Sequence, residues 1–117
     1  MGCAVDVKLG SVLYPTADLK AAVAFYHDGL GLPMKFVDGD RYAALDGGGA
    51  TFALAAEAER VCEHPVASFK VSSVEDALAR VRAAGGTIVA KPSEGPHEVR
   101  AVVADPDGNE FILYAPR

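Results

Sequence analysis

The feature that most constrains the fold of this chain is a repeat that relates its two halves. The first half contains apolar residues at the spacing of one helix face: Leu19, Ala22, Val23, Tyr26 and Leu30. The second half contains a stripe with the same spacing: Val74, Ala77, Leu78 and Val81. A shift of 55 positions superposes the second stripe on the first without a gap. The repeat predicts two similar structural units.

Both helices have end signals in the sequence. Asp18 is the predicted N-cap of the first helix, and the glycines of GLGL end it. Ser72 and Glu75 fit a capping box at the start of the second helix, and the glycines of AAGG end that one.

A strand-like segment precedes each helix and three follow it. In the first half KLGSVLY precedes the helix, and MKFV, RYAAL and ATFALA follow it. In the second half PVASFKV precedes the helix, and TIVA, EVRAVVA and EFILYA follow it. The segments KPSEGPH and DPDGN are the turns between these last three strands. The order predicts an α+β fold in which one domain, residues 1–117, contains two tandem βαβββ units. Unit one spans about residues 5–57, the linker about 58–65, and unit two about 66–116.

Composition excludes several classes of protein. The net charge of -5 and the pI of about 5.0 argue against a nucleic-acid partner. No apolar run approaches the length of roughly 18 residues that a membrane helix needs, and the first residues do not resemble a secretion signal. Cys3 and Cys62 are too few for a disulfide framework. We therefore expect two reduced thiols and a cytoplasmic location.

The segment DPDGN, residues 105–109, raises the question of a metal site. Asp105, Asp107 and Asn109 alternate like the start of a calcium-binding EF-hand loop. That loop needs glycine at its sixth position and glutamate at its twelfth, where this chain has Glu110 and Pro116. Proline and glycine are instead typical of a tight turn, and a turn is the prediction.

The duplicated unit, the helix phrase DLKAAVAFYHDGLGL and the segment DPDGNEFILYAP together resemble the vicinal oxygen chelate superfamily, also called glyoxalase/bleomycin-resistance/dioxygenase proteins. The resemblance covers nearly the whole chain. It implies a curved, partly open barrel with the helices outside, a small-molecule cavity inside, and a homodimer.

The resemblance also implies four metal-ligand positions, two in each unit, which the enzymes fill with His, Gln or Glu. Carried onto this chain, the first falls on Ser11 and the last on Ile112, and the 55-residue shift gives Val66 and Glu57 as their counterparts. Valine and isoleucine donate nothing, and a metal site needs three or more ligands. We therefore predict no metal and no other cofactor. His64, two residues before Val66, and Glu110, on the same strand face as Ile112, are the two alternative ligands.

Strand alternation predicts which residues line the cavity. Small side chains recur among these positions, which leaves room for a ligand. Phe111 and Leu113 are expected to face the helix instead. The predicted lining consists of Ser11, Leu13, Thr51, Ala53, Ala55, Glu57, Val66, Ser68, Arg100, Glu110, Ile112 and Tyr114.

Three functions remain open at this point. The first is a metal-free protein that binds a small organic molecule, with Arg100 as an anchor for an anionic ligand. The second is a metal-dependent lyase, isomerase or dioxygenase with a non-standard site. The third is a subunit or regulatory domain that binds another protein. For catalysis without a metal, His97 in the loop GPHEVR is the best remaining candidate for a base.

Overall fold

The structure is a computed structural model, and it describes residues 7–59, 61–95 and 97–117. The chain forms two compact units. The first unit is Ser11–Val66, and the second is Ala67–Arg117 together with residues 7–10. Cys3, residues 5 and 6 of the predicted unit one, and Arg60 of the predicted linker lie outside the described residues.

The first unit has the order strand, helix, three strands. Strand β1 (Val7–Pro15), whose residues 7–10 belong to the second unit, leads into α1 (Leu19–Val23), which continues as a π-helical segment (Ala24–Gly29). Strands β2 (Met34–Asp38), β3 (Tyr42–Asp46) and β4 (Thr51–Ala55) follow, and then a 3-10 turn (Glu57–Glu59). The strand order is β2-β3-β4-β1, with β1 parallel to β4 and the other pairs antiparallel.

The second unit repeats this arrangement. It contains β5 (Val66–Val71), α2 (Val74–Ala83), β6 (Thr87–Glu94), β7 (Glu98–Ala104) and β8 (Glu110–Pro116). The order is β5-β8-β7-β6, and β5 is parallel to β8. The predicted α+β class with tandem βαβββ units is confirmed. Strand β6 includes part of the predicted turn KPSEGPH, since it extends through Pro92 to Glu94. Strand β6 is an edge strand of the unit. Proline is tolerated there because an edge strand pairs on one side only, so the missing N–H need not break a hydrogen bond to a neighbour.

The helix starts were predicted with mixed success. Asp18 caps α1, because its carboxylate accepts a hydrogen bond from the Ala21 amide at 3.1 Å. The capping box of Ser72 and Glu75 is wrong by one residue. Ser73 is the N-cap of α2, and its hydroxyl accepts from the Asp76 amide at 3.2 Å.

The first helix departs from the predicted stripe at its end. The π-helical segment closes with a hydrogen bond from the Leu30 amide to the Phe25 carbonyl at 2.9 Å, a spacing of five residues. The wider turn rotates the following residues, so Leu30 is 66% exposed, not part of the apolar face as predicted. Tyr26, one turn earlier, does pack against the core.

Each helix packs on one face of its own unit's sheet. Leu45 and Leu54 are fully buried beneath α1. Leu78 of α2 packs in one core with Val103 and Leu113 of the sheet, and Phe69 and Phe111 pack against this core. The prediction that Phe111 and Leu113 face the helix is confirmed. We call the opposite side of each sheet, turned away from its helix, the far face of that unit.

No helix in the described part of the chain is both long enough and apolar enough to span a membrane.

Candidate functional site

The segment DPDGN folds as a hydrogen-bonded turn. The Asp105 carboxylate accepts hydrogen bonds from the backbone amides of Asp107 and Asn109, each at 2.9 Å, and from the Asn109 side chain at 3.0 Å. These donors, those of Asn109 foremost, hold the pKa of Asp105 below its ordinary value of 3.8. Gly108 adopts φ +88°, which glycine tolerates best. The turn prediction is confirmed.

Strand register corrects one of the four family metal positions. In the second unit Ile112 pairs with Ser68. The residue equivalent to Ser68 by the 55-residue shift is Leu13, and it pairs with Ala53. Leu13 and Ala53 are 40 positions apart in sequence, whereas Ser68 and Ile112 are 44 apart, so the shift changes within the unit. The counterpart of Ile112 is therefore Ala53, and the assignment to Glu57 was wrong.

Glu57 is also misplaced as a lining residue. Strand β4 ends at Ala55, and Glu57 begins the 3-10 turn with an exposed side chain. The strand alternation that placed it beside Thr51, Ala53 and Ala55 does not extend that far.

The corrected positions offer almost no metal ligands. They are Ser11, Ala53, Val66 and Ile112, of which Val66 is 4% exposed and Ile112 is 3% exposed. Across residues 7–59, 61–95 and 97–117, no three His, Cys, Asp or Glu side chains gather as a metal site. One hydroxyl and three aliphatic side chains do not fit the divalent ion that the family resemblance implies.

The alternative ligands and the catalytic candidate are exposed or half-buried. His64 is exposed in the bend before β5, and its Nδ1 lies 3.3 Å from the Pro65 carbonyl oxygen. Glu110 is half-buried at the first position of β8. His97 is exposed, and in the described part of the chain its imidazole makes no hydrogen bond that would position it as a base. The described segment around His97 is held through Arg117, whose amide donates to the His97 carbonyl at 3.1 Å.

The far face of the second unit carries a row of polar side chains across three neighbouring strands. Tyr114 on β8 pairs with Lys70 on β5 and with Arg100 on β7. Directly paired residues of neighbouring strands point to the same face of a sheet. All three are half-buried. The structure therefore brings two of the predicted lining residues, Arg100 and Tyr114, together with a third, Lys70, that the predicted list lacked.

The next row of the same face is more deeply buried. Ser68 pairs with Ile112, which pairs with Val102 on β7. Ser68 is 6% exposed, and its hydroxyl makes no hydrogen bond to any residue that the structure describes. A buried hydroxyl without a partner is unfavourable, because it has lost its hydrogen bonds to water.

Tyr114 is held close to the backbone of Gly10. A β-carbon on Gly10 would overlap the Tyr114 hydroxyl and would lie 2.9 Å from its Cζ. Burial, and then the nearby charge of Glu98, raise the pKa of Tyr114 above its ordinary value of 10.0. The phenol therefore keeps its proton throughout the neutral range and is a hydrogen-bond donor.

The far face of the first unit is different. Ser11 pairs with Thr51, and Lys35 donates a hydrogen bond from Nζ to the Thr51 hydroxyl at 2.9 Å. By strand pairing this face also carries Leu13, Phe36 and Tyr42, and the rings of Phe36 and Tyr42 are 5.8 Å apart. Ala53 and Ala55 are both buried.

A cavity of about 630 Å³ lies on the other side of the second unit's sheet, beside α2. Its walls are side chains of the apolar core, among them Phe69, Phe111 and Leu113. Arg80, Asp105, Asn109 and Glu110 lie at its polar part. Of the predicted lining residues only Glu110 borders it. The cavity is thus on the helix side of the sheet, and none of Lys70, Arg100 and Tyr114 lines it.

Lys70 and Gly10 are the features of the far face that sequence reasoning missed. Strand alternation is consistent with Lys70 and Ser68 on one face, but only the strand pairing shows that Lys70 flanks Tyr114. Gly10 and Tyr114 are about a hundred residues apart and lie on strands that do not pair, so no sequence signal predicts their contact.

Comparisons with known proteins bear on the whole chain. The family model of the Glyoxalase/Bleomycin resistance protein/Dioxygenase superfamily matches residues 8–113. A protein from Mycolicibacterium smegmatis (strain ATCC 700084 / mc(2)155), known as "Uncharacterized protein", is 38% identical over 116 residues, which are 95% of this chain and 96% of that one.

Two solved structures resemble the fold. Methylmalonyl-CoA epimerase from Mycobacterium tuberculosis has a TM-score of 0.71 and 24% identity, covering 100% of this chain and 93% of that chain. A structure described as NAD-dependent benzaldehyde dehydrogenase from Legionella pneumophila has a TM-score of 0.78 and 18% identity, covering 92% and 98%. At these identities the likeness concerns the fold alone.

Proposed function

Because the chain belongs to the Glyoxalase/Bleomycin resistance protein/Dioxygenase superfamily, we propose that it binds a small organic molecule without a metal ion. The ligand lies on the far face of the second unit, where Arg100 and Tyr114 are its polar anchors. Ile112 and Val102 supply apolar contact on the same face. A mostly apolar surface with a few polar groups is the usual composition of a small-molecule site.

The single observation that carries this proposal is the identity of the residues at the four family metal positions. Ser11, Ala53, Val66 and Ile112 include one neutral oxygen donor. Catalytic metal sites hold the ion with at least three side-chain ligands, and metal-bound oxygen chemistry depends on them. Val66 and Ile112 are buried aliphatic residues, so neither of these positions offers a donor atom to a metal ion.

Elemental analysis of protein purified without a chelator tests the proposal. We expect far less than one equivalent of any transition metal or alkaline-earth ion after dialysis. Mass spectrometry detects a small molecule that co-purifies: the mass of the native protein then exceeds that of the denatured protein by the mass of the ligand. One equivalent of metal that survives dialysis would overturn the proposal in favour of a metal-dependent lyase, isomerase or dioxygenase.

The proposal includes a cytoplasmic homodimer, as is common in the family. Its support in the chain is a set of large apolar side chains that are more than half exposed in the first unit: Phe25, Leu30, Phe36 and Val37. Light scattering during size-exclusion chromatography gives the mass directly. A single species at the monomer mass of 12.1 kDa at every concentration would exclude the dimer.

A further inference from the structure

We propose that the ligand of the second unit's far face carries an oxyanion group, a carboxylate or a phosphate, and that Lys70 and Arg100 bind this group on either side of Tyr114. The inference rests on the proposed binding function, and it adds the chemical class of the ligand and a residue, Lys70, that directly contacts it.

The first step is the geometry of the row. Tyr114 is paired with Lys70 on one side and with Arg100 on the other. Neighbouring strands are about 4.8 Å apart, which places the two cationic side chains about 10 Å apart at the backbone. The Tyr114 hydroxyl lies at Gly10, so the phenol leans over the Lys70 strand. Both cationic side chains are long enough to reach one oxyanion held over this face. A guanidinium and an ammonium on one face are typical of oxyanion recognition.

The second step is the charge of the row. Lys70 has no ion pair or hydrogen bond within the described part of the chain. Arg100 has one ionic neighbour, since its Nη1 lies 3.7 Å from Glu98 Oε2. Both of those side chains are more than a third exposed, so their attraction is weak. Two cations against one carboxylate leave this row positive in a protein whose net charge is -5.

The third step is the supply of neutral hydrogen-bonding groups. The Tyr114 hydroxyl remains protonated and makes no hydrogen bond to a described residue, so it is available to donate to an anion. Ser68, one row deeper, has a buried hydroxyl that also has no partner among the described residues. A ligand whose oxyanion lies over the row gives the Tyr114 hydroxyl an acceptor, and a second polar atom of the ligand gives Ser68 a partner.

Nuclear magnetic resonance titration of the ¹⁵N-labelled full chain tests the inference with four probes. Benzoate and phenyl phosphate present the two oxyanions on the same ring, and benzamide and benzyl alcohol are their neutral counterparts. We expect the anions to shift the amide signals of Ser68, Lys70 and Tyr114 with an affinity about tenfold above that of the neutral probes, because a hydrogen bond to a charged group is the stronger interaction. The anion that binds with the higher affinity shows whether the site prefers a carboxylate or a phosphate.

Charge-removing variants assign the effect to the row. Lys70→Gln and Arg100→Gln should each weaken benzoate binding about tenfold, and Tyr114→Phe less. Arg82→Gln is the matched control, since it removes the same charge from an exposed position on α2 in the same unit. Its affinity for benzoate should equal that of the unaltered protein. The amide spectrum of each variant shows whether it is folded.

The outcomes separate this inference from the proposed function. If neutral and anionic probes shift the same far-face amides equally, the oxyanion class is wrong while metal-independent binding stands. If Arg82→Gln weakens binding of the anions as much as Lys70→Gln does, binding follows the net charge of the protein. The row is then not the site. If no probe shifts these amides at its solubility limit, the inference is overturned. A stoichiometric metal found by elemental analysis overturns the proposed function itself.

Discussion

The two units of this protein share one topology but differ in the chemistry of their far faces. In the first unit the cation Lys35 is already bonded to Thr51, and alanines occupy the centre of the sheet. In the second unit Lys70 lies beside Tyr114 with no such bond among the described residues. The repeated scaffold therefore fixes where side chains point, but the side chains on the far faces differ between the two units.

The helices differ as well. Helix α2 is a regular ten-residue helix, whereas α1 has five residues before it widens into a π-helical segment. π-helical turns are frequent at functional sites, but here the clear consequence is structural: the apolar stripe loses its last member. Similar sequence stripes therefore do not guarantee similar helices.

The largest expected effects come from the two apolar cores. Leu45→Ala in the first unit and Leu78→Ala in the second should each lower the free energy of unfolding by about 3 kcal/mol, because each leaves a cavity beneath its helix. Urea unfolding measures both. A loss below about 1 kcal/mol in either variant would show that the corresponding helix does not pack as described.

A smaller effect is expected where Tyr114 meets the backbone. Gly10→Ala should lower the free energy of unfolding by about 1 to 3 kcal/mol, since the new methyl group overlaps the phenol. Gly29→Ala in the first unit is the control, because its nearest atom, the Ala24 carbonyl oxygen, would lie 3.9 Å from the β-carbon. Thermal and urea unfolding compare the two. Equal stabilities would contradict the position of Tyr114.

The turns before the last strands of the two units should differ in their response to acid. Asp105 accepts three hydrogen bonds from nitrogen, whereas Asp46 accepts one, from the Gly48 amide at 2.8 Å. The pKa of Asp105 is lowered in the folded chain, so its stabilising contribution is present above pH 3.8 and is lost as the pH falls below that value.

Asp105→Ala should therefore lower the melting temperature at pH 7 more than Asp46→Ala does, and the difference should shrink below pH 3.8. Melting curves between pH 2 and pH 7 measure this difference. If the difference in melting temperature between the two variants stays constant with pH, Asp105 does not act through its charge.

The smallest effect tests the end of the first helix. Leu30→Gln should change the free energy of unfolding by less than about 0.5 kcal/mol, because this side chain is exposed. Val81→Gln in the second helix should cost about 1 to 2 kcal/mol, since Val81 packs against the core. If the two substitutions cost the same, the π-helical segment does not turn Leu30 outward.

The fold was largely predictable from the sequence, because the apolar stripes and turn residues are local signals. Asp18 and the DPDGN turn were placed correctly for this reason. The errors arose where a neighbouring element decides the outcome. A five-residue hydrogen-bond spacing exposed Leu30, and four additional residues in the second unit moved the counterpart of Ile112 from Glu57 to Ala53.

The candidate site was less predictable. Alternation along one strand indicates which face a residue occupies, but not which residue stands beside it on the next strand. Arg100 and Tyr114 could be named from alternation and charge. Their alignment with Lys70 depends on the registers of β5 with β8 and of β7 with β8. Whether the Ser68 hydroxyl has a hydrogen-bond partner is visible only in the three-dimensional structure.

The most direct test of the central claim is the benzoate titration repeated after exhaustive treatment with EDTA and again after addition of zinc or nickel. Binding without a metal predicts the same shifts of the far-face amides, with the same affinity, in all three samples. Shifts that vanish with EDTA and return with the metal would contradict it.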